Sequence, residues 1–254
     1  MKLRVLGCSG GIGGNLRTTS FLLDHDVLID AGTGVTELSL TELTLIDHVF
    51  VTHSHLDHIA CIPFMVDSVG FMRDRPLTIY ASKDTLDILR QHIFNWKIWP
   101  DFSEIPSAQY PYMRYQSIEL GETMDFNGRK ITPIPANHVV PAVGYQLDSG
   151  KASLVFSGDT TSNDALWIVV NKINNLRYLI IETAFSNSEK ELAIVSKHLC
   201  PSMLADELAK FRLEAEVFIS HLKPGELELT MQEIEDCVIE LRPKMLLNNQ
   251  EFEF

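Results

Sequence analysis

The run His53-Ser54-His55-Leu56-Asp57-His58 places four groups able to ligate a metal within six residues, directly after the apolar stretch Val49-Phe50-Val51. Imidazole and carboxylate donors together suit zinc, manganese or iron, and three protein ligands with an open position mark a catalytic ion rather than a structural one. In an extended segment His53 and His55 project to the same side, whereas a turn into a helix swings Asp57 and His58 toward a neighbouring point. One segment can therefore serve two adjacent ions. The competing reading, a solvated histidine-rich loop, fits this spacing poorly.

Further candidates stand alone. His221 follows Val217-Phe218-Ile219-Ser220, an echo of Val49-Phe50-Val51-Thr52-His53, so two apolar strands each deliver a histidine at the C-terminal end. His138 closes Pro135-Ala136-Asn137-His138, and Asp159 follows Phe156-Ser157-Gly158, where an isolated aspartate is ordinarily a turn residue. His25, His48 and His92 fall in a turn, before a strand and in a helix, and are expected on the surface or satisfied in the core.

The elements that must hold these residues follow from apolar periodicity and turn chemistry. Strands are expected at 3–6, 19–23, 27–30 and 47–52, a buried helix at 58–69, a strand at 77–80, and a helix from an N-cap at Ser82 to about Phe94. Asn127-Gly128 and Asp148-Ser149-Gly150 read as hairpin turns between strands at 123–126, 130–135, 143–147 and 152–156. Beyond Asp159, helices at 164–173, 202–212 and 231–241 alternate with strands at 178–182, 217–220 and 245–247. Strands buried on both faces with flanking helices imply a layered α/β sandwich whose site lies where strand ends converge.

Composition limits the functions. The 254 residues carry 21 Lys and Arg against 34 Asp and Glu, a net charge of −13, which argues against gripping a nucleic-acid backbone but not against a small anionic substrate at a metal centre. No linker or repeat divides the chain, so a single domain over 1–254 is expected. The start MKLRVLGCSGG has no long hydrophobic region, and the longest apolar stretches fall far short of the roughly 18 residues a membrane span requires, so a soluble cytoplasmic protein is expected. Cys8, Cys61, Cys200 and Cys237 lack CxxC spacing and are expected as reduced thiols.

The HxHxDH run with later ligands at strand ends resembles the metallo-β-lactamase superfamily, over nearly the whole chain. The resemblance implies a four-layer αββα sandwich and two divalent transition-metal ions, with zinc ahead of manganese or iron. It implies that His53, His55 and His138 hold one ion, that Asp57, His58 and His221 hold the other, and that Asp159 bridges them. Two ions about 4 Å apart can share and activate a water, which makes hydrolysis the natural chemistry.

Ile181-Glu182-Thr183-Ala184-Phe185 and His198-Leu199-Cys200-Pro201 are similar to the branch containing tRNA 3′-end endonucleases and class II cyclic-nucleotide phosphodiesterases. The similarity implies that Glu182 orients His198, and that His198 stabilises phosphoryl oxygens or protonates the leaving alkoxide. Asp57, Glu182 and His198 are thus the catalytic candidates. Without the metal motif, the pair would be read as a strand-end glutamate and a helix-cap histidine. The glycine-rich run Gly7-Cys8-Ser9-Gly10-Gly11-Ile12-Gly13-Gly14 and the later Ile29-Asp30-Ala31-Gly32-Thr33-Gly34 resemble loops of the same branch, and the first could form an anion-binding nest.

Within the branch, the N-terminal run and HSHLDH followed by an apolar helix resemble the cyclic-nucleotide phosphodiesterases most. Cys61, where a smaller residue is usual, and Pro63, inside an aliphatic run, depart from that pattern and bear on nucleotide preference rather than on the metals. A tRNA-processing nuclease and a thioester or lactone hydrolase are the alternatives. The irregular stretch 95–115 carries Trp96, Trp99, Phe102, Tyr110, Tyr112 and Tyr115 with only Lys97 and Arg114 as basic residues, so it lacks the basic arm of the nucleases. It reads as a packed surface loop or homodimer contact ahead of an aromatic lid that stacks on a purine.

Overall fold

The computed structural model describes residues 1–254. In chain order the first half forms β1 (Lys2–Gly7), β2 (Ser20–Leu23), β3 (Val27–Ile29), α1 (Leu40–Leu45), β4 (His48–Phe50), α2 (Leu56–Ile59), α3 (Cys61–Val69), β5 (Leu77–Ala81), α4 (Lys83–His92), a small ribbon of β6 (Pro106–Ser107) and β7 (Tyr110–Pro111), and β8 (Met113–Ser117). The second half forms β9 (Met124–Phe126), β10 (Arg129–Pro135), β11 (Val143–Asp148), β12 (Ser153–Phe156), α5 (Asp164–Val170), β13 (Leu176–Glu182), α6 (Lys190–Ser196), α7 (Pro201–Leu208), β14 (Glu216–Ser220), α8 (Leu227–Cys237), β15 (Lys244–Met245) and β16 (Glu251–Glu253). Two seven-stranded sheets result, ordered β16-β1-β2-β3-β4-β5-β8 and β15-β14-β13-β12-β11-β10-β9.

The alternation of side chains along each strand explains the layers. In β1, Leu3 and Val5 enter the core between the sheets while Leu6 enters the core under the first sheet's helices; in β2, Phe21 and Leu23 face the former and Leu22 the latter. In β13, Tyr178 and Ile180 join the inter-sheet core, whereas Leu179 and Ile181 pack with Leu204 and Ile234 of α7 and α8. Three apolar cores separate four layers, the αββα sandwich. Aromatic residues fill the middle core, with Phe50 stacked on Tyr80 at 4.5 Å and Phe21 edge-on to Phe156 at 4.9 Å.

Both sheets send their parallel strands' carboxyl ends toward one rim. β3, β4 and β5 run parallel in one sheet, and β12, β13, β14 and β15 in the other. The bidentate ion pair of Arg129 at the start of β10 with Asp26 in the β2–β3 turn ties the sheets together at the opposite end.

Several elements differ from their sequence reading. The single helix expected at 58–69 is two, because Pro63 has no N–H to continue the ladder and the Cys61 N–H donates to the Ala31 carbonyl instead. The helix expected at 231–241 lies one turn earlier, at Leu227–Cys237. Helix α1, opened by a reciprocal Ser39–Glu42 capping box, and strands β8 and β16 were not expected. In the 95–115 stretch Phe102 is buried, and Trp99, Tyr112 and Tyr115 pack on the first sheet's helix-side core, leaving Trp96 and Tyr110 as its exposed rings. All four cysteines are free, Cys237 alone being exposed. No helix is long and apolar enough to cross a membrane.

Candidate metal centre

The candidate metal ligands lie on segments that follow strand ends. The turn after β4 carries His53 and His55, and α2 carries Asp57 and His58 in its only turn; β10 leads to His138, β12 to Asp159 and β14 to His221. The ligand atoms of His53, His55 and His138 lie within 4.8 Å of one another, and those of Asp57, His58, Asp159 and His221 form a second such group. Asp159 lies between the groups, its Oδ2 3.6 Å from His53 Nε2 and 3.3 Å from His58 Nε2, its Oδ1 3.4 Å from His221 Nδ1. Asp57 Oδ2 is 3.8 Å from His58 Nε2 and 3.7 Å from His221 Nε2.

These atoms suit divalent cations. His53 Nε2, His58 Nε2, His221 Nδ1 and both carboxylate oxygens of Asp159 are buried without a hydrogen-bond partner. Five orphaned polar atoms converging on one spot would be costly unless a cation satisfied them. Burial pushes His138 down to about 4 and His221 to about 3, which keeps these imidazoles neutral with lone pairs available. At His58 burial acts in the same direction, but the carboxylates of Asp159 and Asp30 outweigh it and raise the group, so positive charge is favoured at that point.

The rings are aimed by partners outside the two groups. Asp30 is fully buried at a left-handed φ of 58°, and its carboxylate accepts the Thr52 N–H at 2.7 Å, the Thr52 hydroxyl at 2.8 Å and His58 Nδ1–H at 2.7 Å. The Thr52 oxygen also lies 3.0 Å from His53 Nδ1, so one carboxylate fixes a histidine in each group, directly for His58 and through Thr52 for His53. His138 Nδ1–H donates to the Lys197 carbonyl at 3.0 Å, turning Nε2 toward His55 Nδ1, 3.1 Å away. Such outer partners set tautomer and ring orientation.

Two glycines are required here by close approach. A Cβ on Gly32 would lie 2.1 Å from the Asp57 carbonyl, and one on Gly10 would lie 2.5 Å from the His221 carbonyl and 2.9 Å from its ring. The glycine-rich N-terminal loop thus packs against the site. Its Ser9, Gly10 and Gly11 amides donate to Arg17 O, Leu222 O and Ser9 Oγ, so they do not form the anion-binding nest the sequence suggested.

Residues 25–233 match the profile of the β-lactamase superfamily domain. The chain belongs to the metallo-β-lactamase superfamily. Among other members it is 27% identical to a probable 3′,5′-cyclic-nucleotide phosphodiesterase of Yersinia pestis, over 87% of this chain and 77% of that protein. It is 28% identical to ribonuclease Z of Methanocaldococcus jannaschii, over 57% of this chain and 46% of that one. The fold matches unliganded yeast PDE1 with a TM-score of 0.82 at 19% identity, over 98% of both chains.

Beside this candidate metal centre stands the second candidate constellation. Glu182, at the end of β13, is fully buried and accepts His198 Nδ1–H at 2.8 Å and the Thr160 N–H at 3.0 Å. Burial raises the Glu182 carboxyl although His198 opposes it, and Glu182 raises His198 against the effect of burial. The His198 ring stacks on His221 at 5.0 Å and lies 4.9 Å from His138, and with His138 and Asp159 it forms a third group of potential ligands.

The structure therefore brings all nine sequence candidates, His53, His55, Asp57, His58, His138, Asp159, Glu182, His198 and His221, to one rim. Away from it, His25 and His92 are exposed, and His48 lies 3.1 Å from the Tyr80 hydroxyl. Sequence reasoning missed the role of Asp30. Its signal was an acidic residue closing an apolar strand just before Ala31-Gly32.

Proposed function

We propose that this protein is a two-metal phosphodiesterase acting on a 3′,5′-cyclic nucleotide. The observation that carries the proposal is the buried Glu182–His198 pair, joined at 2.8 Å, with the His198 ring against His138 and His221. On this reading His53, His55 and His138 hold one ion, Asp57, His58 and His221 the other, and Asp159 both. Zinc is the first candidate, with manganese or iron next. When bound, such ions lower the pKa of a coordinated water and stabilise charge on the phosphoryl oxygens.

The chain's own residues supply the rest. His198 Nδ1 is committed to Glu182, which leaves Nε2 to donate to a phosphoryl oxygen or to protonate the departing alkoxide. Glu182 positions that imidazole and stays fixed by the Thr160 N–H. Asp57, half-buried between the centre and solvent, combines its ligand role with placement of the nucleophile.

The relative named as a cyclic-nucleotide phosphodiesterase is matched over most of both chains, which supports a small substrate. The net charge of −13 weighs against the nucleic acid implied by the ribonuclease Z relatives. The test is a panel of cyclic AMP, bis(p-nitrophenyl) phosphate, pre-tRNA and a thioester with zinc or manganese. Cyclic AMP is expected to be cleaved fastest relative to pre-tRNA at physiological salt. Efficient pre-tRNA cleavage, or turnover of the thioester alone, would overturn the assignment.

A further inference from the structure

We propose that Lys223 is a substrate anchor: its ammonium, fixed on the wall between His221 and His198 with no carboxylate partner, binds a non-bridging oxygen of a phosphate-bearing substrate. Lys223 follows His221 by two residues, and its N–H donates to the Ala184 carbonyl at 3.1 Å. Its Nζ donates to the Gly10 carbonyl at 2.6 Å, the same Gly10 that lies against the His221 ring. On the other side Nζ is 5.9 Å from the centre of the Phe185 ring, which is itself 5.7 Å from the His198 ring. The charge thus sits between Gly10, which packs on His221, and Phe185, which packs on His198. Burial and Asp159 raise the Asp57 carboxyl, but His58, His221 and, least of the three, Lys223 outweigh them and hold it below the usual carboxylate range, and the Lys223 charge opposes protonation of His198.

What sets Lys223 apart is its position together with its pairing. Lys2, Lys83, Lys210 and Lys244 each contact a carboxylate; Lys97, Lys130, Lys151, Lys172 and Lys190 contact none, as Lys223 does, but only Lys223 lies two residues from His221 with its ammonium on Gly10, which packs against the His221 ring, while Lys197 Nζ divides itself between Asn137 Oδ1 and the His138 carbonyl. Lys223 has no acidic group within 4 Å and a single neutral acceptor, so two of its three N–H donors remain for an incoming anion. A positioned ammonium beside the centre is suited to hold a phosphoryl group as a point charge. The inference rests on the phosphoryl reading of the site.

The experiment compares wild type, Lys223→Met and Lys223→Arg, each loaded with zinc, by calorimetric titration with inorganic phosphate and by steady-state kinetics on bis(p-nitrophenyl) phosphate. Lys223→Met is expected to keep its metal content, to weaken phosphate binding by about 10- to 100-fold and to raise KM similarly, with kcat within about threefold, as for loss of one charge-assisted hydrogen bond. Lys223→Arg is expected to recover most of both losses. Unchanged phosphate affinity and KM in Lys223→Met would overturn the anchor, as would metal loss that Arg fails to restore, or a wild type that does not bind phosphate. Phosphate binding that depends on Lys223 without any phosphodiester turnover would instead support the anchor and sink the phosphodiesterase proposal.

Discussion

Replacing Asp30 with Asn should weaken both metal sites at once, although Asp30 belongs to neither candidate ligand set. Its two oxygens accept three donors, the Thr52 N–H, the Thr52 hydroxyl and His58 Nδ1–H, at 2.7 to 2.8 Å. An amide offers one acceptor oxygen and an NH2 group, so at least one of these buried donors would face another donor. Leaving one such group unsatisfied costs about 1–3 kcal/mol. Loss of an outer partner of this kind lowers metal affinity by about 10- to 100-fold. Because the Thr52 oxygen passes the constraint to His53 Nδ1 at 3.0 Å, both groups should be affected. Titrating the metal-free protein with zinc against a competing chelator would resolve the two binding steps. Weakening of only one step would refute the relay through Thr52, and unchanged affinity in both would refute the orienting role of Asp30.

His198→Ala should retain the fold and both metals while lowering kcat by about 10²–10⁴-fold on cyclic AMP, the usual effect of a positioned acid, with a smaller loss on an activated aryl diester. Equal losses on both substrates would favour charge stabilisation, and no loss would reduce the Glu182–His198 pair to a structural contact. Glu182→Gln should show a milder defect of the same kind, visible in the same assay. Far from the site, Glu42 is held at about 2 by the Ser39 N–H and hydroxyl and by Arg4. A depressed carboxyl stabilises the fold above its unfolded value and loses that contribution as pH falls through the folded one, so Glu42→Gln should flatten the acid side of the stability curve between about pH 5 and 2. With 37% of the side chain exposed, the difference should stay below about 1 kcal/mol in urea denaturation, and a curve superimposable on wild type would contradict it.

Among the candidate metal residues, those of the HSHLDH run and His221 were legible because apolar strands ending in polar residues are a local signal: Val49-Phe50-Val51 and Val217-Phe218-Ile219 each announce a histidine, whereas His138 and Asp159 were legible only by resemblance. Glu182 and His198 were legible only by resemblance, since nothing local says that a strand end and a helix start sixteen residues apart will meet. Asp30 was missed for the same reason, its partners lying 22 and 28 residues away on another loop. Strands β8 and β16 escaped because their pairing is set by tertiary context: β8 extends the sheet beside β5, and β16 lies antiparallel to β1 at the other end of the chain. The aromatic stretch misled in part, because Phe102 and Tyr115 face the core beneath a surface that reads as irregular.

Elemental analysis of the protein after gentle purification, set beside the Asp159→Ala variant, tests the two-ion centre most directly. On the proposed reading, with two ligand groups around Asp159, about two transition-metal ions per chain are expected in the wild type and a loss of both in the variant. No more than a trace of metal in the wild type, or full metal content and activity in the Asp159→Ala protein, would contradict it.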